Sequence, residues 1–131
     1  MVREADAAVR TVTPDEAETM QRAGDAVLVD IRDVRELDRE GRVPGATHAP
    51  RGMLEFWFDP ASPYHKTVFD QPERTFVLFC AAAGRSALAA KTLKDMGVTN
   101  VAHMEGGFGK WRDEGHPVEP GDAPAWDDEE E

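Results

Sequence analysis

Cys80 is the one cysteine of the 131-residue chain, and it stands between Phe76-Val77-Leu78-Phe79 and Ala81-Ala82-Ala83-Gly84-Arg85-Ser86. A thiol in that setting can do nucleophilic chemistry. Small residues let the backbone turn tightly, so that several N–H groups face one centre, backed by a helix N-terminus; such a nest holds an anion. A thiolate held there has a lowered pKa and attacks electrophiles. Arg85 adds a charge that persists at any working pH. The competing reading is a buried cysteine acting as a small hydrophobe. The strand end, the small-residue loop, the arginine and the helix start together favour the reactive one.

The elements that must position this stretch follow from pattern. Phe76–Phe79 reads as a strand buried on both faces, as in a parallel sheet, where ligands sit beyond the carboxyl ends of strands. Arg85–Met96 reads as a helix with Ala89, Leu93 and Met96 on one face, ended by Gly97. Upstream, Thr11-Val12 suits a short strand. Thr13-Pro14-Asp15-Glu16 is a helix start with a capping box, and Gly24 stops that helix. Ala26–Ile31 is a second apolar strand. A short helix starts at Asp33 and ends at Gly41. Val43-Pro44-Gly45-Ala46 has the type II turn signature. Thr47-His48-Ala49 is a short strand, and Gly52–Phe58 a helix with Met53, Leu54, Phe56, Trp57 and Phe58. Asn100–Met104 and Phe108–Glu114 complete a strand and a helix. Strands alternating with helices predict an α/β fold with a mainly parallel sheet.

Four landmarks then fall in the order of one family. Leu28-Val29-Asp30-Ile31-Arg32, Gly41–Pro50, Cys80–Ser86 and Gly106-Gly107-Phe108-Gly109-Lys110-Trp111 together make the chain resemble a single-domain rhodanese, over about residues 11–118. The resemblance implies a central parallel sheet with helices on both faces. It also implies sulfur transfer: thiosulfate or a persulfide donor gives its outer sulfur to Cys80, and the Cys80 persulfide passes it to cyanide, a thiol or a partner protein. Ala81, Ala82, Ala83 and Gly84 would hold the anionic sulfur through their amides, with Arg85 closing the loop. Asp30 and Arg32 would pair structurally near it, His48 would fix a loop by hydrogen bonding, and Ser86 would support the first helical turn.

Relatives acting on phosphate or arsenate carry a longer loop between cysteine and arginine. The four residues between Cys80 and Arg85 therefore favour sulfur over a cysteine phosphatase or arsenate reductase. Many family loops have glycine at the position of Ala83 and a basic residue inside the loop. The uncharged interior here makes thiosulfate a weaker expected donor. The remaining alternative is a non-catalytic docking or sensing module.

Composition narrows partners. A formal net charge of −11 argues against nucleic acid and anionic membranes. Residues 1–10 are expected to be a flexible lead-in, and 119–131 an acidic, disordered tail ending in Asp127-Asp128-Glu129-Glu130-Glu131. With one cysteine, no apolar signal region and no membrane-length apolar run, the expected setting is the cytoplasm. No cofactor is expected. The four histidines are scattered and no pair has metal spacing. His103 reads as structural. Gly106–Lys110 fails as a P-loop, because Trp111 stands where a hydroxyl residue is needed.

Overall fold

A computed structural model describes residues 4, 5 and 8–121. Five strands form one sheet: β1 (Arg10–Val12), β2 (Ala26–Asp30), β3 (Thr47–His48), β4 (Thr75–Phe79) and β5 (Val101–Met104). They lie in the order β1-β5-β4-β2-β3, and every pairing is parallel. Five α-helices among the described residues accompany them: α1 (Pro14–Arg22), α2 (Val34–Glu40), α3 (Leu54–Phe58), α4 (Gly84–Asp95) and α5 (Gly107–Asp113). The expected α/β architecture, a parallel sheet covered on both faces, is the one observed.

β4 sits at the centre because both of its faces are apolar. Successive side chains of a strand point to opposite faces. Phe76, Leu78 and Cys80 pack with Leu54, Phe58, Ala89, Ala90 and Leu93 on the α3–α4 side. Val77 and Phe79 pack with Ala17, Phe108 and Trp111 on the α1–α5 side. Cys80 thus ends its strand on the face that α4 covers.

The local signals for helix ends act as written in the sequence. Thr13 caps α1 through Glu16 N–H and Asp33 caps α2 through Arg35 N–H, each within a capping box. The Pro44-Gly45 turn closes with Ala46 N–H on Val43 O at 3.2 Å, with Gly45 at φ 79°. Two details differ. Gly52–Phe58 splits into a 3-10 turn, Arg51–Met53, and the single α-turn of α3; Phe58 is buried, whereas Phe56 is half exposed. Met96 lies just beyond α4 and is 44% exposed: the helix ends before its side chain can join the face made by Ala89 and Leu93.

The packed chain also reaches past the limits 11–118. Val9 is buried in the core and Arg10 begins β1. At the other end Arg42 and Glu119 exchange backbone hydrogen bonds, both 2.9 Å, and Arg42 Nη2 donates to Gly121 O. The acidic tail from residue 122 lies outside the described residues. Among the described residues, no helix is long and apolar enough to cross a membrane.

Candidate active site

Cys80 follows β4 directly and is buried. The chain then crosses three alanines and enters α4 at Gly84, with Ala83 at the cap position and no side chain capping the helix. The first amides of a helix have no intrahelical partner. Here they are left available beside the sulfur's own loop.

The orientation of the loop is set from outside it. α5 begins after the Glu105-Gly106 turn that follows β5 and directs its N-terminal amides at the loop: Phe108 N–H donates to Cys80 O at 2.7 Å and Gly109 N–H to Ala81 O at 3.0 Å. Across a trans peptide the carbonyl of one residue and the N–H of the next point in opposite directions. Drawing the Cys80 and Ala81 carbonyls toward α5 therefore points the Ala81 and Ala82 amides away from it. The amides of Ala81, Ala82, Ala83 and Gly84 donate to no backbone carbonyl among the described residues. The approach is close enough to require glycine at position 107. Its φ is 63°, and a Cβ there would collide with the carbonyl oxygens of Ala82 and Cys80.

Ser86 works on the far side of the loop. Its hydroxyl donates to Ala83 O at 3.0 Å and lies 3.4 Å from His103 Nδ1. With the Ser86 proton committed to Ala83, His103 Nδ1 is the donor to Ser86, and His103 Nε2 accepts from Thr11 Oγ1 at 3.1 Å. His103, on β5, is thus structural, and it props the first turn of α4.

Arg85 extends across to α2. Its two terminal nitrogens each lie 3.0 Å from a Glu36 carboxylate oxygen. That hydrogen bond is the main reason the Arg85 pKa is raised, and the Cys80 side chain adds to it. The same bond holds the Glu36 carboxyl below its ordinary range. Glu36 is the residue that sequence reasoning missed. Its local place is the capping box of α2, where Glu36 Oε1 accepts from Asp33 N–H at 3.0 Å. Nothing in the local pattern signals a partner 49 positions away.

Asp30, Arg32 and His48 form a frame beside the loop rather than part of it. Arg32 is fully buried and donates to both Asp30 oxygens, through Nε at 3.0 Å and Nη2 at 2.8 Å, and through Nη2 to Gly41 O. His48 Nε2 donates to Arg32 O at 2.8 Å. The guanidinium lies 4.0 Å from the centroid of the Phe108 ring. Phe108 is the residue whose amide holds Cys80 O, so the frame reaches Cys80 through one aromatic ring.

The family model for the rhodanese-like domain matches residues 13–114. The chain belongs to that family. It is 30% identical over 103 residues to the thiosulfate sulfurtransferase GlpE of Stutzerimonas stutzeri, covering 79% of this chain and 84% of that one. Among solved structures it is similar to the polysulfide-sulfur transferase homodimer of Wolinella succinogenes, with 34% identity, a TM-score of 0.70 and coverage of 89% and 82%. It is also similar to a Rhodopseudomonas palustris protein of unknown function described as a possible tyrosine phosphatase, with 52% identity, a TM-score of 0.84 and 90% coverage of each chain. The chain spans 55% of the length of one curated relative it matches and 87% of another.

Proposed function

We propose that this rhodanese-like domain is a sulfurtransferase whose Cys80 carries sulfur as a persulfide. The observation that carries the reading is the orientation of the active loop. α5 engages the carbonyls of Cys80 and Ala81, so the amides of the loop and of the first α4 turn are the donors left for an anionic sulfur. Family membership and the sulfurtransferase descriptions of two relatives support it.

The chemistry balances in two displacements. The Cys80 thiolate attacks the outer sulfur of thiosulfate, an S–S bond forms, and sulfite leaves with the electron pair of the broken S–S bond. An acceptor nucleophile, cyanide or a thiolate, then attacks the outer sulfur of the persulfide. The Cys80 thiolate leaves with its electron pair and is ready again. Sulfur serves because it is both a good nucleophile and a good leaving group. Arg85 lends positive charge beside Cys80, and no further base is required once the thiol is ionised. With no basic side chain between Cys80 and Arg85, a small persulfide is the better donor and dianionic thiosulfate the poorer one. The cytoplasm suits a protein whose one thiol must stay reduced to act.

A phosphatase reading draws support from the description of the Rhodopseudomonas relative. The four-residue span between Cys80 and Arg85 is a tight cradle for a tetrahedral oxyanion and weighs against it.

Intact mass decides. After brief treatment with thiosulfate or a small persulfide, the protein should gain one sulfur atom, lose it to cyanide, and gain none as Cys80→Ser. No uptake from either donor sinks the proposal and leaves a non-catalytic docking or sensing module. Cys80-dependent hydrolysis of an aryl phosphate without sulfur uptake would replace it with the phosphatase.

A further inference from the structure

We propose that His116, Asp15 and Glu114 form a binding site for one borderline divalent transition-metal ion of the zinc type, at the end of α5 remote from Cys80. Asp15 lies in the first turn of α1, Glu114 directly follows α5, and His116 lies two residues further on. The three candidate ligand atoms lie within 4.8 Å of one another.

The histidine is what distinguishes this group from a surface cluster of acids. Its side chain is only 9% exposed. Its ring packs on Trp111 with centroids 4.7 Å apart, and Trp111 in turn donates to Pro117 O at 2.7 Å, so the segment carrying the ring is held at both sides. Nδ1 donates to Glu18 Oε1 at 2.5 Å, which turns Nε2 to the opposite side of the ring. Nε2 is buried and makes no well-directed hydrogen bond among the described residues. It faces Asp15 Oδ1 at 2.9 Å and Glu114 Oε1 at 3.8 Å.

A buried ring nitrogen facing two carboxylate oxygens calls for positive charge between them, supplied by a proton on the ring or by a metal ion that displaces it. A carboxylate on the distal ring nitrogen is the arrangement that fixes tautomer and orientation in metal-binding histidines and raises the basicity of the ligand. Zinc bonds of about 2.0–2.1 Å in a tetrahedron set ligand atoms about 3.3 Å apart. The two nitrogen–oxygen distances bracket that value. Asp15 is 82% and Glu114 41% exposed at the side chain, so both can turn the small remaining amount. One imidazole and two carboxylates suit zinc, cobalt or nickel better than magnesium or calcium, which prefer all-oxygen shells. Three protein ligands leave a position for water. The ligands come from opposite ends of the domain, which is why no spacing in the sequence displays them.

The role is structural. An ion here ties the segment after α5 to the start of α1, while the opposite end of α5 holds the Cys80 loop through Phe108 and Gly109.

The test uses the full-length Cys80→Ser protein, which removes the thiolate as a rival ligand. It is titrated with Zn²⁺ by calorimetry and with Co²⁺ by visible absorption. One equivalent should bind, with the intense d–d bands of a low-coordinate nitrogen–oxygen site and a raised Tm. Asp15→Asn, at an exposed position that cannot compromise folding, should lower the affinity at least tenfold, as should His116→Gln. Glu18→Gln should lower it about ten- to a hundredfold. Absence of uptake overturns the proposal and leaves His116 as an ion-paired strap. Uptake unchanged in both Asp15→Asn and His116→Gln overturns it equally and assigns the ion to other acids of the chain.

Discussion

Glu36 and Arg85 meet in a two-point ion pair, with both guanidinium nitrogens 3.0 Å from the carboxylate oxygens, and this pair joins α2 to the first turn of α4. Arg85 is 45% exposed at the side chain and Glu36 19%. A pair this open contributes little to stability. Its effect is positional: it fixes where a permanent positive charge stands beside Cys80.

Arg85→Ala should lower the rate of sulfur uptake about 10²-fold, the usual consequence of removing one donor from a charge-stabilising site. Glu36→Gln should lower kcat about tenfold through misplacement of Arg85. It should not raise KM for thiosulfate, since a negative charge near the donor is removed. Steady-state kinetics separates these effects. A raised KM with unchanged kcat for Glu36→Gln would mean that Glu36 does not act through Arg85.

Gly107→Ala sets a methyl group against the Ala82 and Cys80 carbonyls at a positive φ. The cost should be at least about 2 kcal/mol, read as a lowered midpoint of urea unfolding. Because α5 is then pushed off the loop, persulfide formation should fall further than stability does. A Gly107→Ala protein with normal stability and normal sulfur uptake would remove α5 from the account of the loop.

Asp30→Ala leaves the Arg32 guanidinium buried without its carboxylate. Breaking a buried pair by removing one partner costs about 3–5 kcal/mol. Denaturant titration measures it. The paired change Asp30→Leu with Arg32→Met should recover much of the loss, because no uncompensated charge then remains inside.

The carboxylates of α2 set the acid behaviour. Arg85 holds Glu36 below the ordinary carboxylate range, and Arg35 holds Asp33 down at about 2. A carboxyl whose folded-state pKa is depressed contributes stability that is complete above its unfolded pKa and is lost as pH falls through the folded value. These two groups should therefore add nothing to the pH dependence of stability between pH 5 and 7, by the ordinary carboxyl values of about 4. Below about pH 4 stability should decline, and Glu36→Gln should make that decline shallower. Urea midpoints across this range provide the check.

The sequence determined what each segment is. Apolar runs bounded by glycine and proline made β2 and β4 strands, the capping boxes at Thr13 and Asp33 set the starts of α1 and α2, and the small residues after Cys80 marked a tight loop before a helix. Those features depend on neighbours a few positions apart, and there the pattern of side chains and the local backbone preferences suffice. The tertiary structure decided what each segment faces. Only parallel pairing of β4 with β2 and β5 brings Glu36 to Arg85, sets the α5 amides on the Cys80 and Ala81 carbonyls, and stands His103 behind Ser86. The same is true of His116, whose ring meets Asp15 and Glu18 because α1 and α5 share one face of the sheet. Such contacts are products of strand order and helix crossing, and their geometry is settled by packing the whole core at once.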